Sequence, residues 1–320
     1  MIFGIDSRGK TVEKLTLTAG NLSVGILTRG AILQDVRLQG IDRSLTLGSD
    51  NLADYEGALC HHGALVGPIA NRINTAQIDL DGVTYPLERN HDGRVHLHSG
   101  VQGINRRNWK LVERSESHVT LACSLHDGAC GLPGNRMITV TYRVTAPATL
   151  TMKIAATTDV ITAMSCANHS YWNLDGTATW AGHRLQVKAD RYLMGTDNCN
   201  PTGEIADVTG TPMDLRKARL VDPKIDSFNN NFCLSDVTEP LRDVLVLEGA
   251  TGVKMTMATT APGIQIYDNK SGARPGRRKF EGLALEAQCW PDAANNPSYP
   301  PITLRADDTY LQTTCWSFTA

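Results

Sequence analysis

Apolar residues in this chain recur at every second position far more often than at every third or fourth. Leu22, Val24 and Ile26 alternate in this way, as do Val119, Leu121, Cys123 and Leu125. The same spacing holds for Ile138, Val140, Tyr142 and Val144, and again for Leu150, Met152 and Ile154. Successive side chains on a strand point to opposite faces, so each run predicts a strand with one buried face. Thr, Val and Ile enrich these runs, as suits a pleated, half-buried surface. Between Ile78-Asp79-Leu80 and Val83-Thr84-Tyr85, the dipeptide Asp81-Gly82 predicts a type I′ hairpin turn. Helical character is confined to Leu52-Ala53-Asp54-Tyr55, which predicts one short turn. Many short strands separated by Gly, Asn, Asp and Pro predict an all-β sandwich or barrel of mainly antiparallel strands. No internal repeat and no composition break interrupts the pattern, so residues 1–320 read as one domain.

One late stretch poses a question. In Gly282–Asp292, Leu283, Leu285, Ala287 and Cys289 fall on one face, and Ala284, Glu286 and Gln288 on the other. Glu286 then points either at bulk water or into a polar cavity. Taken alone the strand favours water, because most glutamates are solvated.

Composition narrows the partners. The 320 residues are 41% hydrophobic and 20% charged, an ordinary globular balance. The net charge is −2 with no long run of one sign, which argues against nucleic acid or an anionic membrane as the main partner. No apolar run approaches the roughly 18 residues of a membrane span, and Met1–Arg8 lacks a secretory signal pattern. The eight cysteines (60, 123, 130, 166, 199, 233, 289 and 315) show no CxxC pairing or zinc-like spacing. Cys123, Cys289 and Cys315 sit in apolar strand patterns, where cysteine acts as a small buried hydrophobe. Reduced thiols in a cytoplasmic protein are expected; a periplasmic protein already freed of its signal is the alternative.

Four stretches carry polar groups that a sheet does not need. Gly67-Pro68-Ile69-Ala70-Asn71-Arg72-Ile73 is either a surface loop or a mount for Arg72, whose guanidinium suits hydroxyl or carboxylate oxygens. Val95-His96-Leu97-His98-Ser99-Gly100 places two histidines on one strand face. No third ligand at a metal-like spacing accompanies them, so hydrogen bonding or packing is expected rather than a metal. Ala167-Asn168-His169-Ser170-Tyr171-Trp172-Asn173-Leu174 surrounds one imidazole with rings and amides. That set suits either a structural histidine or a sugar pocket, since rings stack on sugars and amides match their hydroxyls. Phe228-Asn229-Asn230-Asn231-Phe232-Cys233-Leu234 predicts a turn. Nucleophile-elbow, phosphate-loop and dinucleotide-binding signatures are missing.

Together and in this order, these stretches resemble the aldose 1-epimerase (galactose mutarotase) family. Ala70-Asn71-Arg72-Ile73 is similar to its ANRI segment, Leu97-His98-Ser99-Gly100 to LHGG, and Asn168–Leu174 to NHTYFNL. Gly263-Ile264-Gln265-Ile266-Tyr267 is similar to GLQFY. Leu285-Glu286-Ala287-Gln288, with Pro291-Asp292-Ala293 and Asn296-Pro297, is similar to LEPQ…PDAPNHP. Leu304-Arg305, Tyr310 and Thr313-Thr314 fit the family's closing LRPGETY…TT.

The resemblance implies a β-supersandwich with few short helices that interconverts the α and β anomers of free sugars. It implies Glu286 as general base and His169 as general acid, with Arg72 and His98 on sugar hydroxyls. Asn71 and Gln265 become secondary contacts. No metal or organic cofactor is implied, and the partner is a free monosaccharide bound by a monomer or homodimer. The chemistry fits these residue types. The anomeric hydroxyl loses a proton while the ring oxygen gains one, and the ring opens, rotates and recloses. A carboxyl of ordinary pKa (about 4.3) is a base at neutral pH, and an imidazole (about 6.5) can supply a proton.

Three positions depart from the family. Asn229 stands where the family has an Asp that accepts bonds from sugar hydroxyls, so the preferred sugar is expected to differ. Pro68 replaces a frequent Arg, and Ser99 a usual Gly. Alternatives are a non-catalytic or altered-specificity sugar-binding relative and a glycoside-cleaving sandwich. The latter needs a second carboxylate, for which Asp292 is the near candidate. An epimerase acting on a sugar phosphate would use Arg274, Arg277, Arg278 and Lys279, otherwise a solvated basic loop.

Overall fold

The period-two runs pair into antiparallel sheets in the computed structural model, which describes residues 1–196, 200–272 and 274–320. Ile2–Ile5, Thr11–Ala19, Leu22–Leu27 and Ile32–Leu38 form a four-stranded meander. The largest sheet has nine strands. At its centre His118–Leu125, Arg136–Thr145, Thr149–Thr158, Tyr310–Thr319 and Lys254–Thr259 lie side by side. The last strand of the chain therefore closes the sheet from within, between strands far from it in sequence.

Register follows the apolar alternation. Leu121 lies opposite Val140, and Val140 opposite Ile154, so the buried positions stack on one face. Trp172, Trp316 and Phe318 join that core, with ring centroids 5.7–6.0 Å from Trp172. The hairpin at Asp81-Gly82 forms with φ of 51° and 81°, the left-handed pair that its type requires. Leu52–Glu56 is the expected short helix. The Asn51 side chain accepts the Ala53 N–H at its start, and Leu52 and Tyr55 face inward.

A six-stranded sheet carries the chemistry. Its order is Tyr171–Trp172, Leu283–Gln288, Gly263–Tyr267, Asn229–Cys233, Arg191–Gly195 and Pro201–Asp207. All six residues of Leu283–Gln288 are buried, so the reading of Glu286 as a solvated residue fails and the polar-cavity reading remains. Leu283, Leu285 and Ala287 pack into the main core. Ala284, on the opposite face, packs with Leu47 and Tyr171.

The three asparagines after Phe228 do not make a turn. Asn229–Cys233 is a strand paired along its length with Gly263–Tyr267. Phe228 and Phe232 sink one face into the core, and that burial outweighs the poor strand propensity of asparagine. Cys123 is buried as expected, whereas Cys289 and Cys315 are only half-buried. Cys289 lies past the end of its strand, and Cys315 faces away from its buried neighbours Thr314 and Trp316. Cys199 lies outside the described residues. Among the described residues no helix is long and apolar enough to cross a membrane.

Candidate active site

Strand register assembles the floor of one cavity. In antiparallel sheets, residues directly opposite share a face. Tyr171, Ala284, Tyr267 and Asn229 form one such row, and Glu286 and Gln265 the next. Above them closes a cavity of about 270 Å³, lined also by His61, His62, Asn71, Arg72, His98 and His169. All seven residues singled out in the sequence therefore meet in one place.

The walls are held by hydrogen bonds between distant segments. Arg72-Ile73 pairs with His96-Leu97 in a two-stranded ladder. Asn71 (φ 63°) and His98 (φ 50°) both turn left-handed and lock together. The Asn71 N–H donates to His98 Nδ1 at 3.1 Å, and the His98 N–H donates to the Asn71 carbonyl at 3.0 Å. Ser99, in place of a glycine, also sits at positive φ (61°), but its hydroxyl is well used. It accepts the Ile69 N–H at 2.8 Å and donates to the Ile69 carbonyl at 3.1 Å. His169 is fixed through its backbone, donating to the Ala64 carbonyl at 2.9 Å and accepting from Gly63 at 3.0 Å.

The two histidines of the 96–98 stretch part company. His96 Nδ1 bonds the Glu88 carbonyl at 2.7 Å, and His96 does not line the cavity. The left-handed turn at His98 breaks the strand alternation that would have kept both on one face. His98, His169 and Glu286 each bring one possible metal-ligand atom within 4.8 Å of the others. Yet the Asn71 N–H occupies Nδ1 of His98, which leaves the ring proton on Nε2. The ring then offers a donor where a metal needs a lone pair.

Glu286 Oε1 and His169 Nε2 face each other at 3.6 Å, with both side chains almost wholly buried. Burial pushes the Glu286 carboxyl up to about 8, opposed by the nearby Arg72 cation. Burial also depresses His169, reinforced by the neighbouring His61 and His62. The expectation of an ordinary carboxylate beside an ordinary imidazole is therefore corrected. In the free protein these opposite shifts favour a single proton for the pair, held by the carboxyl rather than the imidazole. His169 Nδ1 and Glu286 Oε2 are buried without a partner, as polar atoms reserved for a ligand would be.

Asn229 is committed on one side, because its Oδ1 accepts the Gln265 amide at 3.0 Å. Its own NH₂ and the Gln265 oxygen remain for a ligand. Asp292 does not reach the site: its Oδ1 accepts from Asn74 N–H at 3.3 Å and from the Asn295 amide at 2.8 Å. Glu286 is thus the one carboxyl lining the cavity among the described residues. In the basic loop, Arg274 clamps Glu281 with two bonds of 2.9 and 2.5 Å, and Arg277 stands 3.8 Å from the same carboxylate. A larger polar groove of about 460 Å³ lies beyond this loop. It touches neither Glu286 nor His169, and several of its charges are paired, as in Arg274–Glu281 and Arg37–Asp35.

Sequence reasoning missed His61 and His62. The His61 ring lies 4.9 Å from that of His98 and 5.8 Å from that of His169, and His62 stacks on Tyr171 at 4.1 Å. The adjacent pair His61-His62 was visible in the sequence, but it sits in a turn that no spacing rule ties to a strand face.

The family model described as aldose 1-epimerase matches residues 13–316. Human galactose mutarotase is 34% identical across 99% of this chain and 97% of its own length. Aldose 1-epimerase of Escherichia coli K12 is 30% identical across 98% and 96%. Among solved structures, an aldose epimerase homologue from C. elegans superposes with a TM-score of 0.88 at 27% identity, covering 96% of this chain and 99% of that one. Galactose 1-epimerase from Lactobacillus acidophilus gives 0.86 at 25% identity, covering 98% and 96%.

Proposed function

Since the chain belongs to the aldose 1-epimerase family and is an isomerase that interconverts sugar anomers, we propose that Glu286 is its general base and His169 its general acid. The observation that carries this reading is the 3.6 Å approach of the two groups inside a cavity lined by hydroxyl-binding side chains. Ring opening starts from carboxylate and imidazolium. Glu286 takes the proton of the anomeric hydroxyl, His169 protonates the ring oxygen, and the C1–O5 bond breaks to leave a free carbonyl. Rotation about C1–C2 presents the other face, and closure returns both protons.

Opening and closing need the same total proton count. Carboxylate with imidazolium, and carboxylic acid with neutral imidazole, differ only in where one proton sits. The free protein rests in the second arrangement, the one that ring closure starts from. Sugar hydroxyls donating to Glu286, together with the Arg72 cation, favour the first. Each positioned proton-transfer group typically supplies about 10²–10⁴-fold in rate, enough for a reaction that water already allows. His98 donates through Nε2, Arg72 through its guanidinium, and Gln265 and Asn71 add contacts to the remaining hydroxyls. A second carboxylate for glycoside cleavage has no support in the cavity lining, and Arg274 is committed to Glu281 rather than to a phosphate.

Asn229 sets the sugar. With its oxygen occupied by Gln265, it presents a donor where an aspartate presents an acceptor. Sugars whose hydroxyl at that wall accepts a hydrogen bond are preferred. Residues 1–320 act as one unit on this reading, since the main core runs from Leu15 to Phe318. The seven described cysteines are free thiols, which fits a reducing, cytoplasmic setting. The test is polarimetry on freshly dissolved α-glucose and α-galactose. Glu286→Gln and His169→Ala should each slow mutarotation by orders of magnitude while remaining folded; wild-type rates no faster than buffer across a sugar panel would overturn the assignment.

A further inference from the structure

Away from the sugar cavity, the structure gathers positive charge without pairing it. Two adjoining hollows of about 260 and 250 Å³ share Arg8, Arg106 and Arg107 as walls, and so form one cleft. Lys10 and Lys110 line the first hollow and His126 the second. Among the described residues none of these five Lys and Arg side chains is ion-paired, although ten arginine–carboxylate pairs occur elsewhere. The one acid in the lining is Asp6, and it is already engaged. Its Oδ1 accepts from the Arg8 and Lys10 N–H groups, and its Oδ2 faces Arg29 at 3.8 Å.

A solvated row of surface cations would need no further account. Here Arg8, Lys10 and Lys110 are exposed, but Arg106 and Arg107, at the junction of the two hollows, are half-buried and held. Arg107 Nε donates to the Gln102 carbonyl at 3.3 Å, and Arg106 Nη2 reaches Cys60 Sγ at 3.8 Å. Arg106 Nε is buried with no hydrogen-bond partner. Like charges in one concavity repel, so the arrangement is stable in proportion to the anion it can hold. Field lines concentrate in such a cleft, and the guanidinium fork matches phosphate oxygens. The size of the hollows suits a small molecule.

We propose that the cleft formed by Arg8, Lys10, Arg106, Arg107 and Lys110 is a binding site for a small phosphate-bearing anion of two or more negative charges, separate from the sugar cavity. Isothermal titration calorimetry at low salt tests it, with inorganic phosphate, pyrophosphate and metal-free ATP as probes. Pyrophosphate and ATP should bind once per chain, more weakly as salt rises. Arg107→Ala combined with Lys110→Ala should weaken both by roughly ten-fold or more. Arg277→Ala combined with Arg278→Ala, in the other basic segment, should leave binding unchanged. Mutarotation by the Arg107/Lys110 variant, equal to wild type, reports that it is folded. Equal affinity for pyrophosphate and ATP supports recognition of the phosphates alone, and tighter ATP binding adds a contact to the organic part. Absence of saturable heat with all three probes, undiminished binding by the Arg107/Lys110 variant, or tighter binding of a duplex oligonucleotide than of ATP overturns the proposal.

Discussion

Replacing Glu286 with glutamine should stabilise the fold while abolishing the activity, and the stabilisation should depend on pH in a calculable way. Burial raises this carboxyl from its ordinary 4.5 to about 8. A raised folded-state pKa contributes stability that is fully present below 4.5 and lost as pH rises through 8. At pH 7 the unfolded chain ionises Glu286 while the folded chain does not. Two and a half pH units at about 1.4 kcal/mol each make that a penalty of about 3.5 kcal/mol. Glutamine has the same shape and does not titrate, and its amide adds a term that is constant in pH. The stability of Glu286→Gln minus that of wild type should therefore climb by about 1.4 kcal/mol per pH unit between 4.5 and 8, and flatten on either side. Urea unfolding of both proteins at pH 5, 6, 7 and 8 measures the difference, with polarimetry on the same samples. A difference that stays level across that range would mean that Glu286 is ionised in the folded protein. The one-proton account of the pair would then be wrong.

The same account fixes the pH profile. The ring oxygen needs the pair's single proton, so kcat/KM should fall as that proton is lost above about pH 8. On the acid side it should hold well below pH 6.5, because His169 resists a second proton. A fall centred between pH 6 and 7 would assign the limiting group elsewhere. Asn229→Asp keeps the bond from Gln265 and exchanges the free donor for an acceptor, so relative rates across a hexose panel should reorder; an unchanged ranking refutes the specificity argument. Ser99→Ala strips both bonds to Ile69 and should destabilise by about 1–3 kcal/mol in urea unfolding, with a raised KM because His98 is the next residue.

The fold was legible because its strands are long and half-buried: Leu121, Val140 and Ile154 announce their face by spacing alone. Glu286 was legible as a cavity residue only in company. Leu283–Gln288 is buried on both faces, and period-two reading cannot tell a cavity from solvent when neighbours must first be placed. The asparagine strand was misread because propensity is local, whereas the burial of Phe228 and Phe232 is tertiary. His61 and His62 escaped for a related reason, since a turn carries no periodicity to say where its rings point. The shift of Glu286 was also out of reach, because desolvation depends on what closes over a side chain.

The strand that carries Glu286 has hydrocarbon on one side and the sugar's chamber on the other. A single layer of backbone divides them, and it has no slack. Moving Glu286 toward a differently shaped ligand would mean repacking Leu283, Leu285 and Ala287 at the same time. Substrate range can therefore change cheaply only at positions such as Asn229, two strands away, where the side chain turns into the chamber and a polar neighbour shares its load. On the proposed roles of Glu286 and Asn229, the chemistry is tied to the core, and the choice of sugar is left to the wall.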